Sequence, residues 1–339
     1  MKRWNIGLIG CGGIAEFHVR AIDELPNARL TAVASRTPDK ARALAEREGC
    51  EWASSHEELL AREDLELVIV ATSSGSHAEL GMDVLRAGKH LLVEKPMAMR
   101  AAEAARMIEE AERRGRTLAV ISQRRYEPQH QAIKRLLDEG ALGRLLMAEV
   151  SVPFYRDQAY YDSAPWRGTL AEDGGALMNQ GIHSIDLLLW LAGPARSVIG
   201  KTATLAHRME AEDIGSAIVT FESGALGTIL ASTAMKPGFA AGLALYGERG
   251  AVKLAGPDIV HWSVPDIPEP AADSSGHYGG TADPLSISHQ YHRLQLADLL
   301  TELEQGGRPA VDGHAGRASV ALIEGIYESA RRGAEVALE

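Results

Sequence analysis

Short apolar runs alternate with stretches of helical periodicity through the first third of the chain. Ile6, Leu8 and Ile9 make a run long enough for a buried strand. Ile14, Phe17, His18, Ala21, Ile22 and Leu25 then fall on one helical face. Leu30–Ala34, residues 65–71 and His90–Val93 read as further strands. The run LELVIVA at 65–71 is nearly unbroken, as suits a parallel strand buried on both faces. Residues 38–48, 56–61, 77–87 and 100–114 read as helices, a weak strand lies near Trp52, and 118–121 closes the series. Strand and helix alternating in this order predict a doubly wound parallel sheet with helices on both faces.

Beyond residue 123 the pattern changes. A helix at 128–139 and a strand at 145–152 come first, then a dense apolar helix at 176–191 and several strands over 196–255. The pair 214–221 and 225–233 is joined by Glu222-Ser223-Gly224, a hairpin turn. Ile214, Ser216, Ile218 and Thr220 point one way, Gly215, Ala217, Val219 and Phe221 the other, and neither set carries a charge. A half-solvated sheet should show a charged outer face. Its absence predicts that helices cover one side and a partner subunit the other, in a homo-dimer or homo-tetramer. Residues 256–287, rich in proline and glycine, predict a long irregular loop or flap. Helices at 289–305 and 315–331, the latter capped by Asp312, finish the chain.

The first strand and helix are joined by Gly10, Gly12 and Gly13, with Ile14 opening the helix. A glycine turn there lets the backbone approach a pyrophosphate and leaves free N–H groups at the helix N-terminus to hold its charge. The first unit thus reads as a Rossmann-type dinucleotide-binding domain over 1–123, followed by an α+β domain over 124–339 with a large, mostly antiparallel open sheet. At the end of the second strand stand Ser35 and Arg36, where an acid would grip a ribose 2′-hydroxyl. A small hydroxyl beside a cation suits a 2′-phosphate, so NADP is expected, with NAD as the alternative. Thr72–Ser76 form a polar loop at the C-terminal end of a strand, where ligands of such sheets bind. Lys95 follows the strand at 90–93 and is held extended by Pro96, aimed at the ligand crevice.

The second domain carries its own chemistry. Phe154, Tyr155, Arg156, Tyr160, Tyr161, Trp166 and Arg167 crowd one segment of a chain only 5% aromatic. Rings stack on sugar faces and arginines bind hydroxyls or anions, so the segment reads as a substrate wall. On the helix at 176–191, Asn179, His183 and Asp186 are spaced four and three apart and share a stripe. Polar groups on a buried helix are paired or functional, because unpaired burial is costly.

Composition narrows the class. The chain has 339 residues, 45% apolar and 24% charged, with a net charge of −11, which argues against nucleic acid or an anionic membrane as partner. No run reaches the ~18 apolar residues of a membrane span. Two cysteines, Cys11 and Cys50, make no disulfide framework, and the scattered histidines lack a third ligand, so no metal is expected. MKRWNIG runs straight into a strand without a leader, and a cytoplasmic protein is the simplest expectation.

GLIGCGGIA, the Ser-Arg strand end, ATSSGSHAEL, AGKHLLVEKP, QRRYEP at 123–128, DGGALMNQGIHSIDLL at 173–188, HRLQLADLL and VDGHAGRA together resemble the family of glucose–fructose oxidoreductase, inositol dehydrogenase and MocA. The resemblance covers essentially the whole chain, and EKP and GGALMNQGIH are its most discriminating parts. It implies an NAD(P)-dependent dehydrogenase or reductase passing hydride between the nicotinamide and a secondary hydroxyl or ketone. The substrate would be a sugar, glycoside, nucleotide-sugar or cyclitol. Lys95, His183 and Asn179 would be catalytic, the first two converging from the two domains. Gly10, Gly12, Gly13, Ile14, Ser35, Arg36, Thr72, Ser73, His77, Glu94, Lys95 and Gln123 would hold the cofactor. Tyr155, Arg156, Tyr161, Trp166, Arg167, Asn179 and His183 would meet the substrate. In the family the position of Asn179 is often aspartate, whereas nucleotide-sugar and glycoside 3-dehydrogenase branches also show asparagine. A regulator that binds cofactor without turnover, or a reductase of a non-carbohydrate carbonyl, are the alternative functions.

Overall fold

A computed structural model describes residues 2–271 and 288–338. Contacts divide the chain into two units, Met1–Gln123 with His289–Arg317, and Arg124–Ser288 with Ala318–Glu339. Sequence alone had assigned 289–317 to the second domain. Its apolar positions are matched to the first unit by tertiary packing, which periodicity does not report.

The first unit alternates β1 (Trp4–Ile9), α1 (Ala15–Asp23), β2 (Ala28–Ala34), α2 (Pro38–Glu48), β3 (Glu51–Ala53), α3 (His56–Leu60), β4 (Leu67–Val70), α4 (His77–Arg86), β5 (His90–Val93), α5 (Ala101–Arg114) and β6 (Leu118–Val120). All six strands are parallel, in the order β3-β2-β1-β4-β5-β6. Strand order reverses between β1 and β4, so the glycine turn after β1 lies at the topological switch point, where such sheets bind ligands. β4 is buried at every position, as its LVIV sequence requires of a central parallel strand.

In the second unit come α6 (Pro128–Asp138), β7 (Leu145–Pro153), α7 (Gln158–Asp162), α8 (Ile182–Ala192), β8 (Ala195–Ala203), β9 (Ile214–Phe221), β10 (Leu226–Ser232), β11 (Gly242–Gly247), β12 (Ala251–Ala255) and β13 (Asp258–Ser263). α9 (Gln290–Gln305) then packs on α1 in the first unit, α10 (Gly313–Arg332) runs from residues of the first unit into the second, and β14 (Val336–Ala337) ends the chain. The eight strands are ordered β13-β12-β11-β7-β10-β9-β8-β14, antiparallel except for the β7–β10 pair.

Two elements depart from the sequence reading. β13 lies inside the stretch expected to be irregular, because its residues pair with β12 over Ala251–Ala255. The rest of that expected flap, 272–287, lies outside the described residues. The helix expected from 176 opens instead as a π-helix over Ala176–Gly181 and becomes α-helical only at Ile182. Among the described residues no helix is long and apolar enough to cross a membrane.

Candidate functional site

In the first unit the geometry starts at Gly10. Its φ is +107°, and a Cβ there would lie 2.3 Å from the Ala71 carbonyl oxygen, so only glycine allows β1 to turn against β4. Gly12 and Gly13 would point a Cβ into open space, which leaves the backbone accessible from outside. Among the described residues the amides of Gly12, Gly13 and Ile14 donate to no backbone carbonyl. They precede α1, where the helix dipole adds to their attraction for an anion. Gln123, just after β6, is 5% exposed and its Oε1 has no partner among the described residues. An accessible amide cradle and a buried acceptor of this kind fit a dinucleotide.

Around that cradle the loops are tied down. The Thr72 and Ser76 hydroxyls lie 2.7 Å apart, and Ser76 Oγ donates to the Ser73 carbonyl at 2.8 Å. His77 is 1% exposed, with Nδ1 2.7 Å from the Pro96 carbonyl and Nε2 3.2 Å from the Thr72 carbonyl. Burial pushes its pKa down. Both ring nitrogens are thus committed to protein, and His77 braces the two loops together. Ser35 Oγ accepts from the Thr37 amide at 3.2 Å, and Arg36 Nη2 donates to Ser73 Oγ at 3.4 Å, which links the end of β2 to the Thr72–Ser76 loop.

Lys95 is half-buried at the end of β5, and the Lys95–Pro96 bond is cis. Glu94 before it is 5% exposed. Its carboxylate lies 2.9 Å from His18 Nε2 of α1 and accepts the Lys95 amide at 3.2 Å. Burial would raise the Glu94 pKa, but the His18 hydrogen bond and the positive neighbours hold it at about 2. His292 of α9 stacks edge-on against His18 at 5.5 Å, and burial pushes its pKa to about 4. The Glu94 carboxylate therefore anchors the strand end that presents Lys95.

The second unit holds the remaining predicted residues. Asn179 sits in the π-helical segment, and its amide donates to Asp173, which is 2% exposed. The other Asp173 oxygen accepts the Gly168 amide at 2.7 Å. His183 follows, half-buried, in the first turn of α8. Asp186, one turn further along α8, is buried and paired with Arg125 in two hydrogen bonds of 2.7 and 2.6 Å. A π-turn bonds i to i+5, so counting at 3.6 residues fails across 176–181.

The aromatic segment is a cation–ring stack. The Arg167 guanidinium lies over the Tyr160 and Trp166 rings at 4.2 and 4.6 Å and donates to the Tyr160 hydroxyl at 2.6 Å. Arg156 is 7% exposed, 5.3 Å from the Tyr160 ring, and donates to Gln180 Oε1 at 3.2 Å. Gln180 Nε2 in turn donates to Asn179 Oδ1 at 3.4 Å. Tyr155 bridges to Ala234, half-buried, with Lys236 over its ring at 5.6 Å. Tyr161 is 7% exposed, its hydroxyl 2.7 Å from Thr233 Oγ1, and burial lifts its pKa to about 12. Its hydroxyl is thus spent on the protein. Gln180 escaped the sequence-derived site, and so did the anchoring role of Asp173. The signal for Gln180 was masked by an α-helical period where the chain is π-helical. Among the described residues no group of histidine, cysteine or carboxylate side chains could hold a metal ion.

Residues 4–122 match the family described as "Oxidoreductase family, NAD-binding Rossmann fold", and residues 130–253 match "GFO/IDH/MocA C-terminal domain". The chain is 34% identical over 258 residues to dTDP-3,4-didehydro-2,6-dideoxy-alpha-D-glucose 3-reductase of Streptomyces violaceoruber, covering 75% of this chain and 73% of that one. It is 30% identical to inositol 2-dehydrogenase 2 of Saccharopolyspora erythraea, over 75% and 74% of the two chains. The WlbA dehydrogenase of Bordetella pertussis, solved in complex with NADH and UDP-GlcNAcA, superposes with a TM-score of 0.89 at 34% identity, over 100% of this chain and 99% of its own.

Proposed function

Because the chain belongs to the Gfo/Idh/MocA family of NAD(P)-dependent oxidoreductases acting on sugar and cyclitol hydroxyls, we propose that it works on a nucleoside-diphosphate sugar with Lys95, His183 and Asn179 as catalytic residues. The nicotinamide, when bound, supplies or takes up the hydride. Lys95 holds the reacting oxygen as a cation beside it, polarising a ketone or stabilising an alkoxide. His183 exchanges the proton, since an imidazole titrates near neutrality when unperturbed. Asn179, anchored by Asp173, orients the hydroxyl.

The observation that carries the nucleotide-sugar reading is the chain Asp173–Asn179–Gln180–Arg156. It ties the polar residue before His183 to a wall of two arginines and Tyr160, which suits an anionic handle better than an uncharged cyclitol. Of the relatives described above, one carries a dTDP-linked sugar in its name and another was solved in complex with UDP-GlcNAcA. Turnover of UDP-GlcNAcA and of dTDP-hexoses, set against free myo-inositol and glucose, tests it. A free sugar or cyclitol used as well as every nucleotide sugar would refute it. Lys95→Met and His183→Ala should each lower kcat by roughly 10²–10⁴-fold, the range for a positioned acid/base.

For the cofactor we propose NADP(H) over NAD(H), on the cation at Arg36 and the missing acid beside it. Arg36→Ala should narrow the preference by about 1.5–3 kcal/mol, the worth of a hydrogen bond to a charged group. Equal or tighter binding of NADH by the unaltered protein, as its presence in the WlbA complex would lead one to look for, overturns the preference.

A further inference from the structure

Just ahead of β9, one buried carboxyl group has no part in the chemistry above. Glu212 is 6% exposed, and its Oε1 accepts the Leu177 amide at 2.8 Å and the Tyr327 hydroxyl of α10 at 3.1 Å. Its backbone carbonyl takes the Ala176 amide at 2.8 Å. Both donated amides belong to the opening turn of the π-helix that holds Asn179 and runs into His183. The neighbouring Gly175 is glycine for the same reason: a Cβ there would lie 2.2 Å from the Glu212 carboxyl carbon and Oε2.

We propose that Glu212 is a positioning residue for the catalytic helix, its carboxyl group clamping the π-helical turn that presents Asn179 and leads to His183. The inference rests on the catalytic assignment made above for those two residues. A helix opening leaves amides without intrahelical acceptors, and the Glu212 side-chain and backbone oxygens satisfy two of them. The segment itself, ALMNQG, brings no charged group against the carboxyl, and neither does β9. The titratable groups facing Glu212 are Asp213 beside it and Tyr327 from α10. Asp213 is fully buried and bound by the Leu205, Ala206 and His207 amides.

The clamp is poised near neutrality. Burial lifts the Glu212 pKa to about 7 against the pull of the Leu177 amide and the Tyr327 hydroxyl, and the Asp213 charge adds to the rise. Above that pH the carboxylate gains stronger hydrogen bonds but loses more to desolvation, as the raised pKa records, so the clamp is tightest with the carboxyl protonated and loosens as it ionises. Glu212→Gln imitates the protonated form at every pH.

The test is amide hydrogen exchange over residues 176–183 in the full-length protein and in Glu212→Gln, compared at matched pH. The expected result is exchange within a few-fold of one another at about pH 5 and at least roughly tenfold faster exchange in the parent than in the variant at pH 8. The same protection in both proteins at pH 8, or a ratio that does not change with pH, overturns the clamp. Tyr327→Phe gives an independent arm that does not need the first variant to fold. Removing the donor should move the pH at which protection falls to a higher value, and an unmoved midpoint counts against the proposal. His183→Ala assayed in parallel separates the two ideas. Near wild-type turnover there retires the catalytic assignment, whereas the exchange data judge Glu212 alone.

Discussion

Replacing Asp186 by asparagine should damage stability and leave chemistry nearly untouched. Asp186 and Arg125 are 7% and 8% exposed at their side chains and meet in two parallel hydrogen bonds of 2.6 and 2.7 Å. Ser319 Oγ reaches Asp186 Oδ1 at 3.5 Å, and the Trp190 ring lies 5.5 Å from the guanidinium. A pair this buried has lost its hydration, so taking away the carboxylate charge strands the arginine in low dielectric. The expected loss is about 3–5 kcal/mol. By contrast the exposed Arg144–Glu248 pair, 68% and 47% exposed, should contribute little, because water and salt screen it. Urea unfolding of Asp186→Asn, Arg125→Met and the double variant Arg125→Met/Asp186→Leu reads the coupling. The double variant should recover most of the loss, since apolar replacement of a buried pair is close to neutral. If Asp186→Asn cost under ~1 kcal/mol while kcat fell a hundredfold or more, the residue would belong to the chemistry after all.

Three further outcomes follow from the structure. Glu212 has a folded pKa of about 7, above its ordinary value, so its contribution is fully present below the unfolded value and lost as pH rises through 7. Glu212→Gln should therefore match the parent below pH 4.5 and exceed it by up to about 3 kcal/mol at pH 8 in urea unfolding; no gain at pH 8 would contradict this. Asn179→Asp alone would set a second carboxylate against Asp173, so kcat should fall, and adding Asp173→Asn should restore part of it; no recovery means the pair is not functional. Ile199, Ile218 and Leu226 stand 45%, 51% and 48% exposed on one face of the large sheet, so light scattering at micromolar concentration should show an oligomer that Ile218→Glu weakens, and a monomeric parent would refute it.

The parallel half of the fold was legible because its strands are buried on both faces and so read as unbroken apolar runs, LVIV at β4 above all. Gly10 was legible too, since a φ of +107° leaves one residue type. The antiparallel hairpin showed its alternation, and burial follows it: Gly215, Ala217, Val219 and Phe221 are inward while Ser216 and Ile218 are exposed. What stayed hidden depends on partners distant in sequence. For Asp186 the sequence left pairing and function both open, and the partner that decides for pairing, Arg125, lies sixty-one positions earlier. Glu212 gave no signal, because its meaning lies in the amide of Leu177 and the ring of Tyr327. The destination of α9 was equally invisible, as any leucine-rich helix fits any core of the right shape.

That destination has a consequence during synthesis. Leu296, Leu299 and Leu300 of α9 are buried in the core of the first unit, in one cluster with Ile22 of α1 and Leu25 just beyond it. Each buried leucine is worth roughly 1.5–3 kcal/mol, so the nucleotide-binding half lacks part of its wall when its last strand leaves the ribosome. The remaining residues up to α9 take on the order of 10–30 s to translate at ordinary rates. For that interval the apolar side of α1 is bare, and a nascent chain in this state is a natural client for holding chaperones. A ribosome that stalled within the second unit's sheet would release a half-built dinucleotide domain that cannot close its own core.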